Sequence, residues 1–495
     1  MRRYGFAAAL AAVTAIATGC AAPPAPVAGA QTTPTVTAET LAALADCPEL
    51  PSLPTARCGL ITVPRDRTRP AAGTIDVGFA LVPHTDVSRP GLGTIVPNPG
   101  GPGSSTIDLT GRYFTDALAP TLDRHDVLLI DPRGVGRSTA LSCPALDGPE
   151  RVYAPPARQR EMIGECGAQL GDRVADYATN AVADDIDTVR ATLGLDRLDL
   201  LGVSYGSYLM PAYAHRYPDH VRTVTMAGAY AVNEDTTGAV GAAAFRRAVG
   251  LVCLSTRRCD GGAVLADLAA LATRLRHTPE TLQIDATHRV TLDDWQLASV
   301  AGRLYSNRPD TTKQLALATA AAAARDGDLT PIRDLATQSI LAEVEIYSYG
   351  PLALSDAQSW ATTCHDYLRD FDYADPVAQR TADYEAVLAA QPDADFAPFT
   401  AEAWSTRANY DTGACLHWPN DPTAGSPFAP GAALPDVPVL VLSGDLDANT
   451  PSDSGRAAAA QFPHATFVEI AGAGHTPAST AEGAEAIIRF INDHR

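Results

Sequence analysis

Residues 198–210 read "LDLLGVSYGSYLM". An apolar run ends in Gly202-Val203-Ser204-Tyr205-Gly206, and a helical pattern follows over 205–217. By itself a G-x-S-x-G is a common accident, read as a glycine-rich β-turn. With a strand before it and a helix after it, it reads as a sharp elbow that lifts the Ser204 hydroxyl above the end of a sheet. The flanking glycines then stand where side chains would clash.

On either side of this stretch, further short apolar runs recur at 74–82, 93–97, 126–130, 222–228, 437–444 and 465–470. Near-continuous apolar runs of this length suit strands of a parallel sheet buried on both faces. Helical patterns lie between them: 180–193, with Val182, Ile186 and Val189 on one face, then 205–217 and 478–494. Strand–helix alternation predicts an α/β fold. Residues 232–400 differ, being rich in Ala, Leu, Asp and Arg, with few strand candidates. They predict a mainly helical cap inserted between two halves of a mostly parallel sheet flanked by helices. The chain divides accordingly: a signal and the start of a tether at 1–30, a tether and segment at 31–72, core at 73–231, cap at 232–400, and core again at 401–495.

A serine hydroxyl needs a base to take its proton. In a fold entered through such an elbow, the acid and the histidine follow the serine in the chain. Eleven histidines are present. His475, in "IAGAGHTPAS", follows the last strand and precedes the last helix. His464 lies before that strand, His494 at the tail, and His365 and His417 in or beside the insertion near cysteines. Position selects His475. "VLVLSGDLDANTPS" offers Asp447 to hold the imidazole tautomer, and Asp445, which could instead cap the turn.

"NPGGPGSS", 98–105, follows the strand at 93–97. The loop at this place in such folds donates one N–H to the oxyanion, and the residue after the serine donates another. Gly101, with Gly100, and Tyr205 are therefore the candidate backbone donors. "DVLLIDPRGVGRST", 126–139, places Asp131 and Arg133 either as a pair bracing the site or in a surface turn; no catalytic step is assigned to them.

Hydrophobic residues make up 46% of the chain, enough for a large core, and the net charge of −20 argues against binding nucleic acid. "MRRYGFAAALAAVTAIATGC" has a basic start, an apolar stretch too short to span a bilayer, and small residues, which is an export signal. Two processing routes compete: lipidation of Cys20, or cleavage after Ala30 in "AGA". The Pro/Ala/Thr-rich residues that follow suit a tether. No other segment reads as apolar for long enough to cross a membrane. Without Cys20, eight of the nine cysteines remain, an even number that suggests disulfides in an exported protein. Sequence neighbours are the simplest pairing: Cys47–Cys58, Cys143–Cys166, Cys253–Cys259 and Cys364–Cys415. No C-x-x-C or H-x-x-x-H spacing points to a metal, and "GVGRS" lacks the spacing of a dinucleotide fingerprint, so no cofactor is expected.

"NPGGPG", "DPRGVGRS", "GVSYGSYL", "GDLDANTP" and "GAGH", in that order over roughly residues 45–495, resemble the secreted tripeptidyl aminopeptidases of actinobacteria. These are α/β-hydrolase serine peptidases related to proline iminopeptidases. The resemblance implies Ser204 as nucleophile, Asp447 as acid, His475 as base and a helical cap over the site. "CHDY" (364–367) and "CLHWP" (415–419) resemble the family's bridging cysteines, in line with a Cys364–Cys415 bond. It further implies recognition of a free cationic N-terminus. Desolvating an ammonium calls for a carboxylate, and Asp366, Glu343 and Glu345 in the insertion are the candidates. The expected activity is an exported serine exopeptidase releasing short peptides from free N-termini of peptides or proteins. The alternatives are a secreted carboxylesterase or lipase with the same triad, and a non-enzymatic surface protein. Membrane association is expected only through a lipid anchor, and a monomer is the expected state.

Overall fold

The computed structural model describes residues 36–494, apart from 49, 51–52, 110–117, 232–235, 307–308, 409 and 429–431. The signal, Cys20 and the Ala30 cleavage point lie outside the described residues.

Strands are set in the order Ala45–Asp46, Arg57–Pro64, Thr74–Val82, His125–Ile130, Gly93–Asn98, Leu198–Val203, Val221–Ala227, Val439–Gly444 and Ala465–Ile470, forming one sheet. The first four pair antiparallel, and from His125–Ile130 onward every pairing is parallel. Four of the central strands, at 93–98, 125–130, 198–203 and 439–444, are buried along their whole length. The reason is cover on both faces. Val96, Leu200 and Val441 pack toward the helices Thr179–Thr192 and Gly206–Arg216. Their neighbours Ile95, Leu201 and Leu442 share a second apolar layer with Ile487 and Ile491 of helix Ala481–Asp493. A strand with two dry faces carries no polar alternation, so its sequence is a plain apolar run.

Register decides where chemistry can occur. Asn98 pairs with Gly202, Val203 with Ala227, Ala227 with Leu442, and Gly444 with Ile470. The parallel strands therefore end at a common level, and their following loops meet at one edge, where open α/β sheets place their ligands.

Arg57–Pro64, which the sequence reading leaves without a strand, pairs along its full length with Thr74–Val82. Its Cys58 and Val63 are buried while Leu60 is exposed. Between Ala227 and Ser405 the described residues are mainly helical, with one hairpin among them, Glu280–Gln283 against Arg289–Leu292, and those from there to Val439 are irregular. This segment owns an apolar core that includes Phe245, Leu268, Leu297, Ile332 and Trp404. The expectation that no segment after the N-terminus is apolar enough to cross a membrane needs correcting. Helix Ala239–Thr256 is long and apolar enough by composition. Its Phe245, Ala248, Val249 and Val252 are buried in that core, which accounts for the composition.

Each of the eight cysteines bonds to its sequence neighbour: 47–58, 143–166, 253–259 and 364–415.

Candidate active site

Ser204 sits where the strand Leu198–Val203 turns into helix Gly206–Arg216, and it is the one half-buried residue among buried neighbours. Its φ is +55°, a left-handed conformation rare for a residue with a side chain. Holding it there costs on the order of 1–3 kcal/mol, which the surroundings must offset. The glycines explain how. A methyl group on Gly202 would lie 2.0 Å from the Gly206 carbonyl oxygen, and one on Gly206 would lie 2.6 Å from the Asn98 carbonyl oxygen. The elbow is that tightly wound, and it is pinned by the Ser204 N–H donating to the Ala227 carbonyl at 2.9 Å.

His475 and Asp447 come from the loops after the last two strands. His475 Nδ1 lies 3.0 Å from Asp447 Oδ2, and Asp447 is fully buried. Asp447 also accepts from the N–H groups of Asn449 at 2.8 Å and Thr450 at 3.2 Å. The Thr450 hydroxyl is 2.7 Å from Asp447 Oδ2 and 2.9 Å from His475 Nδ1. On the other side of the ring, Asn449 Nδ2 approaches His475 Nε2 at 3.1 Å. This pattern puts the ring proton on Nδ1 and leaves the Nε2 lone pair as acceptor, the tautomer a general base requires. Neither Thr450 nor Asn449 receives a role from the sequence. Their signal is the turn "DANTP", whose hydroxyl and amide fall beside the acid only after the turn closes. His475 packs on Gly228, where an added methyl would stand 3.2 Å from His475 Nδ1. Gly228 directly follows the carbonyl that accepts from the Ser204 N–H, so the end of the strand Val221–Ala227 touches both the elbow and His475.

The loop 98–105 lies against the elbow from the other side. A methyl on Gly100 would be 2.9 Å from Ser204 Cβ and 3.2 Å from Tyr205 N. The Gly100 N–H itself donates to Asn98 Oδ1 at 3.0 Å, so that amide is engaged within the loop. Of the three candidate donors, Gly101 and Tyr205 have N–H groups without a protein acceptor among the described residues.

Asp131 and Arg133 do not pair with each other, and neither is on the surface. Asp131 accepts from Ser105 Oγ at 2.8 Å, Ile107 N at 2.9 Å and Arg137 N at 2.7 Å. It thus holds the end of the 98–105 loop, and burial raises its pKa to about 6. Arg133 instead makes a two-pronged pair with Asp185, at 2.7 and 2.8 Å.

The insertion closes over this edge. Its Ser355 N–H donates to Gly103 O at 2.8 Å, and Ala353 O accepts from Ser105 N at 2.9 Å. On the opposite side, Tyr305 O accepts from Ala448 N at 2.8 Å, and Ser306 O from His475 N at 3.2 Å. Between these clamps lies a cavity of about 430 Å³ lined by Ser204, Gly101, Tyr208, Trp360, Asn449 and Thr450, among others.

The three carboxylates expected to meet a substrate amine lie elsewhere, and none lines the cavity. Asp366 is buried behind Tyr205. It accepts from Thr179 N at 2.6 Å and contacts His365 Nδ1 at 2.7 Å, while Thr179 Oγ1 bonds the Tyr205 hydroxyl at 2.9 Å. Its charge serves the start of helix Thr179–Thr192. Glu343 pairs with Arg303 and is buried, and Glu345 is exposed. Among the described residues no group of His, Cys, Asp and Glu is arranged to hold a metal.

The chain resembles several characterised proteins over part of its length. Tripeptidyl aminopeptidase of Streptomyces coelicolor is 34% identical over 187 residues, 34% of each chain. Serine protease Hip1 of Mycobacterium tuberculosis is 33% identical over 195 residues, 36% of this chain and 37% of that one. Carboxylesterase B of the same organism is 33% identical over 192 residues, 35% of this chain and 36% of that one. The matches span about a third of the length of each of these relatives. The sequence profile of the alpha/beta hydrolase fold matches residues 93–481, from the strand Gly93–Asn98 to the start of the last helix. With the elbow, the sheet order and the site at its carboxyl edge, that match decides the assignment: the chain belongs to the α/β-hydrolase fold family.

Proposed function

We propose that this protein is an exported serine hydrolase that cleaves short peptides near free N-termini through an acyl-enzyme. The observation that carries the reading is a positive-φ serine at the mouth of a closed-over cavity, with a histidine–aspartate pair on the loops after the last two strands of the same sheet.

In this reading Ser204 Oγ attacks the scissile carbonyl as its proton passes to His475 Nε2. Asp447 and the Thr450 hydroxyl hold the Nδ1–H, and Asp447 stabilises the imidazolium. The N–H groups of Gly101 and Tyr205 receive the oxyanion, each worth roughly 3 kcal/mol of transition-state stabilisation. His475 then protonates the departing amine, and water repeats the sequence on the acyl-enzyme. For Asn449 Nδ2, now against Nε2, the reading requires withdrawal as the serine proton arrives.

The insertion supports an exopeptidase over an endopeptidase, because a roofed cavity holds a short acyl segment and not a continuous chain. A free ammonium would meet the aromatic side chains of Tyr208, Tyr230, Tyr367 and Trp360, which line the cavity, and aromatic rings attract cations. The names of two of the relatives favour a peptidase, and the third favours an esterase. Export is supported by four disulfides, bonds that persist in oxidising compartments.

The test is a panel of di-, tri- and tetrapeptide anilides, free and N-acetylated, beside simple esters. Tripeptide turnover that vanishes on acetylation and on Ser204→Ala supports the reading. Equal cleavage of acetylated and free peptides removes the N-terminal specificity, and ester turnover with no peptide turnover favours the esterase.

A further inference from the structure

The charges lining the cavity are unevenly satisfied. Among the described residues two carboxylates line it, and each is already claimed. Asp356 is gripped by Arg151 at 2.6 and 3.3 Å, and Asp411 by Arg160 at 2.6 and 2.9 Å. Two guanidinium groups line it as well, and neither has a carboxylate partner among the described residues. Arg407 is only 5% exposed. Its Nη1 donates to the Trp404 carbonyl at 2.8 Å, and its charge lies over the rings of Trp404 at 4.3 Å and Tyr410 at 4.8 Å. Its Nε is buried without an acceptor among the described residues. Room for the side chain is made by glycines. A methyl on Gly302 would sit 3.1 Å from Arg407 Cδ, and methyls on Gly238 and Gly241 would sit 3.7 Å from Nη1 and Nη2. Arg369 lies over the Tyr373 ring at 4.1 Å, and its Nε is also buried without an acceptor.

A buried cation without a counter-charge is expensive for a fold to keep. Burial without compensation also depresses the pKa of Arg407 to about 10. Arginine presents a planar fork that matches a carboxylate. Stacked on two rings and hemmed by glycines, that of Arg407 has little freedom to lose on binding.

We infer that the cavity binds a carboxylate of the substrate through Arg407, with Arg369 as the second cation, so that acidic side chains on the acyl side of the cleaved bond are preferred. The assignment of that carboxylate to an acyl-side residue rests on the peptidase reading above. The presence of a carboxylate site does not.

The wild-type enzyme is assayed on alanine tripeptide p-nitroanilides carrying Glu or Gln at each of the three positions in turn. At one position Glu should exceed Gln in kcat/KM by about tenfold or more, as expected for a desolvated charged pair. Arg407→Gln should collapse that ratio toward one. Arg369→Gln, at a half-buried position, should reduce it and serves as the second variant should the first fail to fold. No preference for Glu at any position in the wild type, or a preference that survives both substitutions, overturns the inference. Binding is measured separately by calorimetry on Ser204→Ala, with Ala-Ala-Glu amide, Ala-Ala-Gln amide, and Ala-Ala-Ala as free acid and amide. Tighter binding of the Glu amide than the Gln amide supports the inference. Preference for the free acid alone assigns the site to a C-terminal carboxylate and overturns the acyl-side assignment. Ser204-dependent hydrolysis of p-nitrophenyl acetate reports on the hydrolase reading alone. If it is absent that reading fails, while calorimetry still decides the carboxylate site.

Discussion

At the scale of single residues, the site depends on very short separations. Gly202 and Gly206 are required by the 2.0 and 2.6 Å approaches that a methyl would make to backbone oxygens. Backbone cannot yield as a flexible side chain can. Gly202→Ala should therefore destabilise the protein by about 3 kcal/mol or more, comparable to severe overpacking, and thermal melting will measure it. Thr450 predicts a different outcome. Its hydroxyl touches both Asp447 and His475 at 2.7 and 2.9 Å. Thr450→Val keeps the shape and removes one bond to a charged group, worth about 1.5 kcal/mol. The expected result is roughly a tenfold fall in kcat with little change in melting temperature. A loss of stability with unchanged kcat would make Thr450 merely structural. The motif letters were legible in the sequence, but Thr450 and Asn449 were not. Their part depends on which atoms a closed turn aims at the imidazole.

At the scale of elements, the insertion holds the loops that carry the site. One side grips Gly103 and Ser105 through Ser355 and Ala353, and the other grips Ala448 and His475 through Tyr305 and Ser306. The 364–415 disulfide, whose two cysteines both line the cavity, ties the wall together across 51 residues. Closing a loop of that length is worth about 4 kcal/mol in the chain-entropy account. Replacing both cysteines by alanine should cost about that much in denaturant-measured stability, and lower turnover further by loosening the wall. The helical character of the insertion was legible from its composition. Its hairpin was not, and neither was the strand Arg57–Pro64, because its Cys58 and Val63 are buried while other positions face solvent.

At the scale of the whole molecule, Asp131 links the sheet edge to the loop and insertion above it. Its pKa of about 6 lies above the ordinary value of 3.8 because it is buried. Between those values the folded state holds a proton that the unfolded state has released. Unfolding free energy from this group therefore falls as pH rises from about 4 to about 6. Asp131→Asn removes the titration. The stability of the wild type relative to this variant should decline over that interval by on the order of 3 kcal/mol, as read from urea denaturation at successive pH values. A difference that stays flat with pH would mean that Asp131 does not titrate there.

The α/β alternation and the helical character of much of 232–400 follow from the letters alone, and the same letters supply the expectation of a serine, an aspartate and a histidine in that order. These rest on local pattern: apolar runs where strands have two dry faces, and glycines where an elbow must be tight. Local pattern could not assign the insertion's charges. Asp366, Glu343 and Glu345 are equivalent as letters, yet the fold spends one on a helix start, pairs one with Arg303 and leaves one in solvent. That Arg407 and Arg369 are the cavity charges without a carboxylate partner among the described residues emerges only once the chain has folded. Whether a charge is satisfied depends on neighbours distant in the chain, and those neighbours exist only once the insertion has closed over the sheet.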